Sequence, residues 1–152
     1  MSPASPLPLV APALAEHARE LLAGCEVRPT RARVLVLSHL LAQPEARAPR
    51  SIHAALGGEA AVNRVTLYRI LDLLVDLGLA SRSSAGDRSL RYCSGRSARR
   101  VCHFHCLGCG QVRCLDPALL PLSPEAVQET LGVAVERIEV RIDGRCAACR
   151  GK

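Results

Sequence analysis

The chain has 152 residues, enough for one ordinary domain or two small ones sharing an interface, and its 49% apolar content excludes wholesale disorder. Twenty basic against 14 acidic residues give a net charge of +6, with arginine at every basic position except Lys152; this suits a polyanionic partner or simply a basic surface. Mean hydropathy is +0.14, yet the most apolar stretch, 62–80, is broken by Arg64, Arg69, Asp72 and Asp76, whereas a membrane span needs about 20 nearly uncharged residues.

Residues 1–12 hold four prolines and read as a loosely attached or disordered tail. They lack a basic region followed by an apolar run, so no secretory signal is expected. A helix is expected over 13–23, with Leu14, Leu21 and Leu22 as its apolar residues. A second should open at Pro29 or Thr30 and end near Gln43, before Pro44. A short helix over 51–56 should stop at Gly57 and Gly58. The clearest helix starts at Asn63, a residue whose side chain accepts from free first-turn amides. Leu67, Ile70, Leu71, Leu74 and Leu77 recur at helical spacing and form one apolar face. Arg64, Tyr68, Asp72 and Asp76 fall opposite, with Arg69 beside them, and Gly78 closes the helix.

Residues 79–82 and 89–92 flank a Gly-containing turn and read as a hairpin. Successive helices and then a hairpin, with a basic start to the last helix, form the pattern of a winged helix-turn-helix, placed over 13–93. The small, basic residues 94–101 are placed as a linker. Beyond it, 103–106 and 111–115 flank a Cys-Leu-Gly-Cys-Gly turn like a zinc-knuckle hairpin. Ser123 should open a short helix ending at Leu131. Residues 133–142 alternate as a strand, with Ile138, Val140 and Ile142 on one face. The expected class is α+β, with a small second domain over 102–152. Tyr68, Tyr92 and Phe104 are the only aromatics, so the core must come from Leu, Val, Ile and Ala.

Eight cysteines stand at 25, 93, 102, 106, 109, 114, 146 and 149. The expected compartment is the reducing cytosol, where disulfides are rare and clustered thiols bind metal or do redox chemistry. Cys106-Leu-Gly-Cys109 and Cys146-Ala-Ala-Cys149 repeat one spacing. A two-residue spacer lets both thiolates reach one ion from a tight turn, and two such turns complete a tetrahedral four-thiolate zinc site. A redox dithiol shares the spacing of one pair, but two equal pairs favour structural zinc. Cys93, Cys102, His103, His105 and Cys114 remain as candidates for a second metal site. Its thiolates and imidazoles would prefer zinc, then copper, nickel or iron; alternatively, some of these thiols simply fill the core. His17, His39 and His53 read as surface or half-buried side chains, and Cys25 as structural.

Three stretches together resemble the ferric uptake regulator (Fur) superfamily of bacterial metal-responsive repressors, over about residues 21–149. Arg28-Pro-Thr-Arg-Ala-Arg-Val-Leu-Val-Leu is similar to the family's Thr-x-x-Arg helix opening. Thr66-Leu67-Tyr68-Arg69 stands where the family's recognition helix has Thr-Val-Tyr-Arg. His103-Phe-His-Cys-Leu-Gly-Cys-Gly-Gln-Val is similar to its His-x-x-Cys-x-x-Cys-Gly-x-Val. The resemblance implies a DNA-binding winged helix, a C-terminal α/β domain that makes a homodimer, and a sensory metal at the hinge. It implies base contacts from Tyr68 and Arg69. Asn63, Arg64 and Thr66 would mainly touch phosphate, and Arg31 joins the DNA-contacting set. Such roles fit the chemistry, since Arg pairs with guanine and an aromatic ring packs on the thymine methyl.

In family members with a cysteine in the hinge site, that cysteine follows the wing, as in the zinc-uptake (Zur) regulators, and Cys93 occupies such a place. His103 matches the histidine three residues before the first structural cysteine. Cys114 sits where the family often has Glu or Asp. The sequence departs from the pattern at Val101, where a histidine is usual, and in lacking the histidine-rich run of iron regulators; Cys102 and His105 are extra candidates for the fourth ligand. The expected function is a cytoplasmic, zinc-dependent repressor of metal-uptake genes. The alternatives are an iron- or peroxide-responsive regulator of the same type, or a zinc-stabilised protein-interaction adaptor. An enzyme is not expected: no His-x-Glu precedes a cysteine pair, as a zinc deaminase needs, and no Gly-rich nucleotide loop is present.

Overall fold

A computed structural model describes residues 11–84, 89–95 and 100–151. Most of the expected tail, and the centre of the expected hairpin turn, lie outside the described residues. Five helices and five strands are named in chain order. Helix α1 is Pro12–Gly24, α2 is Arg31–Ala42, α3 is Pro49–Ala55 and α4 is Arg64–Asp76. Strands β1 (Ala80–Ser84), β2 (Leu90–Ser94), β3 (Arg100–Cys106) and β4 (Val112–Leu115) follow, then α5 (Pro124–Leu131) and β5 (Ile138–Gly144).

The helix starts carry their own chemical causes. Asn63 Oδ1 accepts from the Thr66 amide at 2.8 Å, Thr30 Oγ1 from Arg33 at 3.4 Å and Ser123 Oγ from Ala126 at 3.0 Å, each satisfying an amide with no partner inside the helix. Helix α3 begins at Pro49 rather than at 51. Proline suits the first helical position, where its missing N–H is not needed. Leu67, Ile70, Leu71 and Leu74 of α4 are buried. With Leu22, Val36, Leu37, Leu40, Ile52 and Leu56 they form the main core, closed on one side by Tyr92 of β2, which is 1% exposed. An aromatic-poor chain thus sets one of its three rings at the seam between helices and hairpin.

β1 and β2 pair antiparallel, with Ser81 opposite Cys93. A second sheet has the order β4-β3-β5. β3 runs antiparallel to β4, with His103 opposite Cys114, and parallel to β5. A parallel pair needs a crossover, and α5 lies within it. Pairing of β5 with β3 begins at Ile138 opposite Arg100, so the strand expected from 133 starts five residues later. Of the expected linker, Ser94 belongs to β2 and Arg100 and Val101 to β3; 96–99 lie outside the described residues.

Residues 44–47, between α2 and α3, tie the two sheets together. The Ala46 amide donates to Val112 O at 2.8 Å, and Cys114 donates to Pro44 O at 3.3 Å. On the other side, Arg47 and Tyr92 exchange two backbone bonds of 2.8 Å. This segment therefore lies like a short strand between β2 and β4. A second apolar cluster of Ala46, Cys93 and Val112, with Cys114 packed against it, fills the same junction. Among the described residues, no helix is long and apolar enough to cross a membrane.

Candidate metal centres and nucleic-acid interface

Cys106 ends β3 and Cys109 lies in the turn before β4, while Cys146 caps a 3-10 turn after β5 that carries Cys149. Their four sulfurs lie within 4.8 Å of one another, and Cys109 Sγ is 3.9 Å from Cys146 Sγ. A zinc–sulfur bond of about 2.3 Å in a tetrahedron sets sulfurs about 3.8 Å apart, so the donor set fits one such ion. A Cβ at Gly108 would meet Cβ and Sγ of Cys149 at 2.8 Å; only glycine leaves room for the two turns to close. The Cys146 amide donates to Cys106 Sγ at 3.3 Å. This bond, with one from the Cys109 amide, lowers the Cys106 thiol to about 6, while Cys149, facing the Cys146 and Cys106 sulfurs, is pushed up to about 12. Four crowded sulfurs cannot all carry charge unless a cation neutralises them.

The second cluster joins both sheets. Cys93 of β2, His103 of β3 and Cys114 of β4 place their donor atoms within 4.8 Å of one another. Cys93 Sγ lies 3.4 Å from His103 Nε2. Burial, with His105 and Arg137 nearby, lowers His103 to about 4, so at neutral pH it presents a neutral imidazole, the metal-binding form. Where the sequence reading expected two thiolates, Cys93 and Cys114 are joined as a disulfide. Residues 44–47 are the cause of that proximity, because they hydrogen-bond to Tyr92 beside the first cysteine and to Cys114 itself.

Two further candidates lie outside this cluster. Side chains alternate along a strand, so Cys102 falls on the face of β3 opposite His103, beside Leu115 and Val140. It is buried, which raises its thiol. His105 shares the face of His103 but contacts Ser83 Oγ at 3.3 Å instead. The residue missed from sequence is Ser81. Its Oγ lies 3.0 Å from Cys93 Sγ and 3.4 Å from His103 Nε2. The hairpin register, which sets Ser81 opposite Cys93, is the signal that could have found it.

The candidate nucleic-acid interface is the outer face of α4. Asn63, Arg64, Tyr68 and Arg69 are exposed there, Tyr68 by 48%, while Thr66 is half-buried. Arg31 is exposed at the start of α2. Val65, 62% exposed, adds an apolar spot to the same first turn. Asp72 sits one turn on, and Arg82 of β1 reaches it, Nη1 to Oδ1, at 3.8 Å. That pair offsets an acidic charge that would otherwise oppose a polyanion, and it ties the helix to the hairpin.

Helices ending in a half-buried recognition-type helix and a two-stranded wing, followed by a sheet with clustered cysteines, define a winged-helix protein whose second part carries cysteine groups able to hold metal. Residues 25–143 match the ferric uptake regulator family, and the chain belongs to it. The family is one of transcription regulators, not enzymes. The ferric uptake regulation protein of Bacillus subtilis (strain 168) is 27% identical over 93 residues, covering 60% of this chain and 62% of that protein; the match thus spans about three-fifths of the relative. Among solved structures, a zinc uptake regulator complexed with zinc and DNA is 23% identical, covers 90% of this chain and 92% of that one, and gives a TM-score of 0.66. The peroxide stress regulator of Campylobacter jejuni is 18% identical over 88% and 97%, with a TM-score of 0.65. The ferric uptake regulator from Pseudomonas aeruginosa with manganese is 22% identical over 86% and 98%, with a TM-score of 0.64. One fold thus carries three differently named regulators at similar likeness.

Proposed function

We propose that the chain is a cytoplasmic, zinc-dependent repressor that binds double-stranded operator DNA as a homodimer. In this reading 13–93 is the DNA-binding domain, 94–101 the hinge and 102–152 the metal-binding dimerisation domain. Tyr68 and Arg69 read bases; Arg31, Asn63, Arg64 and Thr66 hold phosphates. Cys106, Cys109, Cys146 and Cys149 hold a structural zinc that keeps the second domain folded. Cys93, His103 and Cys114, with both cysteines reduced, hold the sensory ion, while Ser81 positions Cys93 and His103.

The observation that carries this reading is the placement of the three sensory donors on β2, β3 and β4, across the junction of the two sheets. A bound metal would supply a cation for three donor atoms that lie within 4.8 Å of one another. Cys93, His103 and Cys114 would hold the ion from three strands; with it bound they would restrain the wing strand against the second sheet, so metal would favour the spacing of the two reading heads that fits DNA. The donors are two sulfurs and an imidazole, without a carboxylate, which favours zinc over iron or manganese.

The test is operator binding by fluorescence anisotropy against buffered free zinc, iron and manganese. Zinc should act at the lowest free concentration. Cys93→Ser or His103→Ala should abolish the metal response while keeping the dimer and the four-cysteine zinc. Iron acting at lower free concentration than zinc would overturn the zinc assignment. A Cys93→Ser protein that responds like wild type would overturn the sensory site.

A further inference from the structure

The two sensory cysteines can make either of two mutually exclusive connections. As ligands of one tetrahedral zinc their sulfurs must stand about 3.8 Å apart as thiolates. As a disulfide they bond to each other at about 2 Å and no longer serve as thiolate donors. The structure holds them in the second form, with His103 Nε2 still 3.4 Å from Cys93 Sγ. The pair is sequence-distant, 21 residues apart. It is brought together by residues 44–47 and by the apolar cluster of Ala46 and Val112. The other close cysteine group on the described chain is the four-sulfur cluster, which the turns at 106–109 and 146–149 hold separately.

We propose that Cys93 and Cys114 are a reversible dithiol, oxidised by peroxide when the sensory metal is absent and protected when it is bound, so that oxidation makes the regulator blind to metal. The proposal rests on the sensory-site reading above. Exposure orders the steps. Cys114 is half-buried and Cys93 is 1% exposed, so Cys114 meets the oxidant first. Its thiolate attacks one peroxide oxygen; the O–O bond breaks, a sulfenic acid forms and hydroxide leaves. The Cys93 sulfur then attacks the sulfenic sulfur, the S–O bond breaks, and the hydroxyl departs as water with the Cys93 proton. The first hydroxide takes the proton that Cys114 shed on ionising. In sum two thiols and one peroxide give one disulfide and two waters, with two electrons passing from sulfur to oxygen. A dithiol reductant reverses the change. Because Cys93 is on β2 and Cys114 on β4, the new bond spans the same junction that the metal would, but without two of its three donors.

The test uses the full-length, reduced protein with its four-cysteine metal retained. One sample carries buffered free zinc and one does not; both receive stoichiometric hydrogen peroxide. Non-reducing peptide mapping follows the Cys93–Cys114 link, and zinc is counted separately on the reduced protein. The link should form without sensory zinc and revert with dithiothreitol. Free zinc at ten times its dissociation constant leaves about one-eleventh of the site empty, so link formation should slow about tenfold. Oxidised protein should bind operator to the same extent with and without added zinc. In Cys93→Ser, Cys114 should stop at the sulfenic acid or over-oxidise. Oxidation confined to Cys106, Cys109, Cys146 and Cys149, or a link forming equally fast with zinc bound, would overturn the proposal and leave the sensor reading standing. A reduced protein that counts one zinc per chain instead of two would overturn both, and the metal count distinguishes that case from the peptide map.

Discussion

At Gly108 a single hydrogen atom decides whether two turns can close. A Cβ there would stand 2.8 Å from Cys149 Cβ and Sγ, a clash with neither room nor a flexible neighbour to yield. Gly108→Ala should therefore cost about 1–3 kcal/mol by overpacking and lower metal retention, as read by melting temperature and metal analysis. Gly110→Ala meets open space but a φ of +73°, so it should cost about 1 kcal/mol in backbone strain alone and keep the metal. His39 poses a different single-residue question. Burial, and secondarily Arg47, hold its imidazole below the usual 6.5. The unfolded chain then binds this proton more readily than the native one, so its contribution to stability is complete above pH 6.5 and shrinks as pH falls below it. Urea denaturation between pH 7.5 and 5 should show a smaller acid loss for His39→Gln than for wild type; equal losses would exclude His39 as a source.

Helix α4 shows how much an element's sequence says about its role. Its apolar face is buried and its basic start exposed, so the exposed arginines can be separated by experiment. Arg69→Ala should cost about 1–3 kcal/mol at the specific site and relax preference at one base position. Arg64→Ala should weaken all sequences alike and flatten the salt dependence. Equal losses on operator and random DNA for Arg69→Ala would remove its base contact. The helices were legible because their signals are local: Asn63, Thr30 and Ser123 cap where they stand, and leucine spacing marks the face of α4. The four-cysteine cluster was legible for the same reason, since each half is a four-residue turn. The partners of the strands were not. Ser81 reaches His103 by a side-chain contact between the two sheets, and residues 44–47 carried no reading beyond the helix that ends before Pro44. Backbone bonds from Ala46 to Val112 span 66 positions of sequence and leave no periodic trace. The salt link from Asp72 to Arg82 was hidden likewise, as each residue alone reads as solvated charge.

Across the whole molecule the two cysteine clusters should fail differently. The four-sulfur cluster lies at one end of the β4-β3-β5 sheet and closes two chain turns. Cys149→Ser removes one of its four donors, and structural zinc contributes on the order of 10 kcal/mol to folding of such domains. That variant should unfold its second part and lose the proposed dimer, as read by circular dichroism and sedimentation. A dimeric Cys149→Ser protein with unchanged melting would exclude the structural role. Cys93→Ser sits instead at the junction, where Tyr92 and Ala46 keep their own burial, and should leave both parts folded.

The strand-like run of residues 44–47 also has a dynamic consequence. It places the amides of Ala46, Arg47, Tyr92 and Cys114 in bonds between segments that no single helix or hairpin protects. Such amides exchange with solvent only when the junction itself opens, whereas those of α4 need the helical core to unfold. In a hydrogen-exchange time course these four should therefore form one group with one opening rate, faster than the core. Metal or oxidation at the neighbouring sulfurs should slow all four together and leave the α4 amides unchanged, turning a backbone seam into a direct gauge of how tightly the two parts are latched.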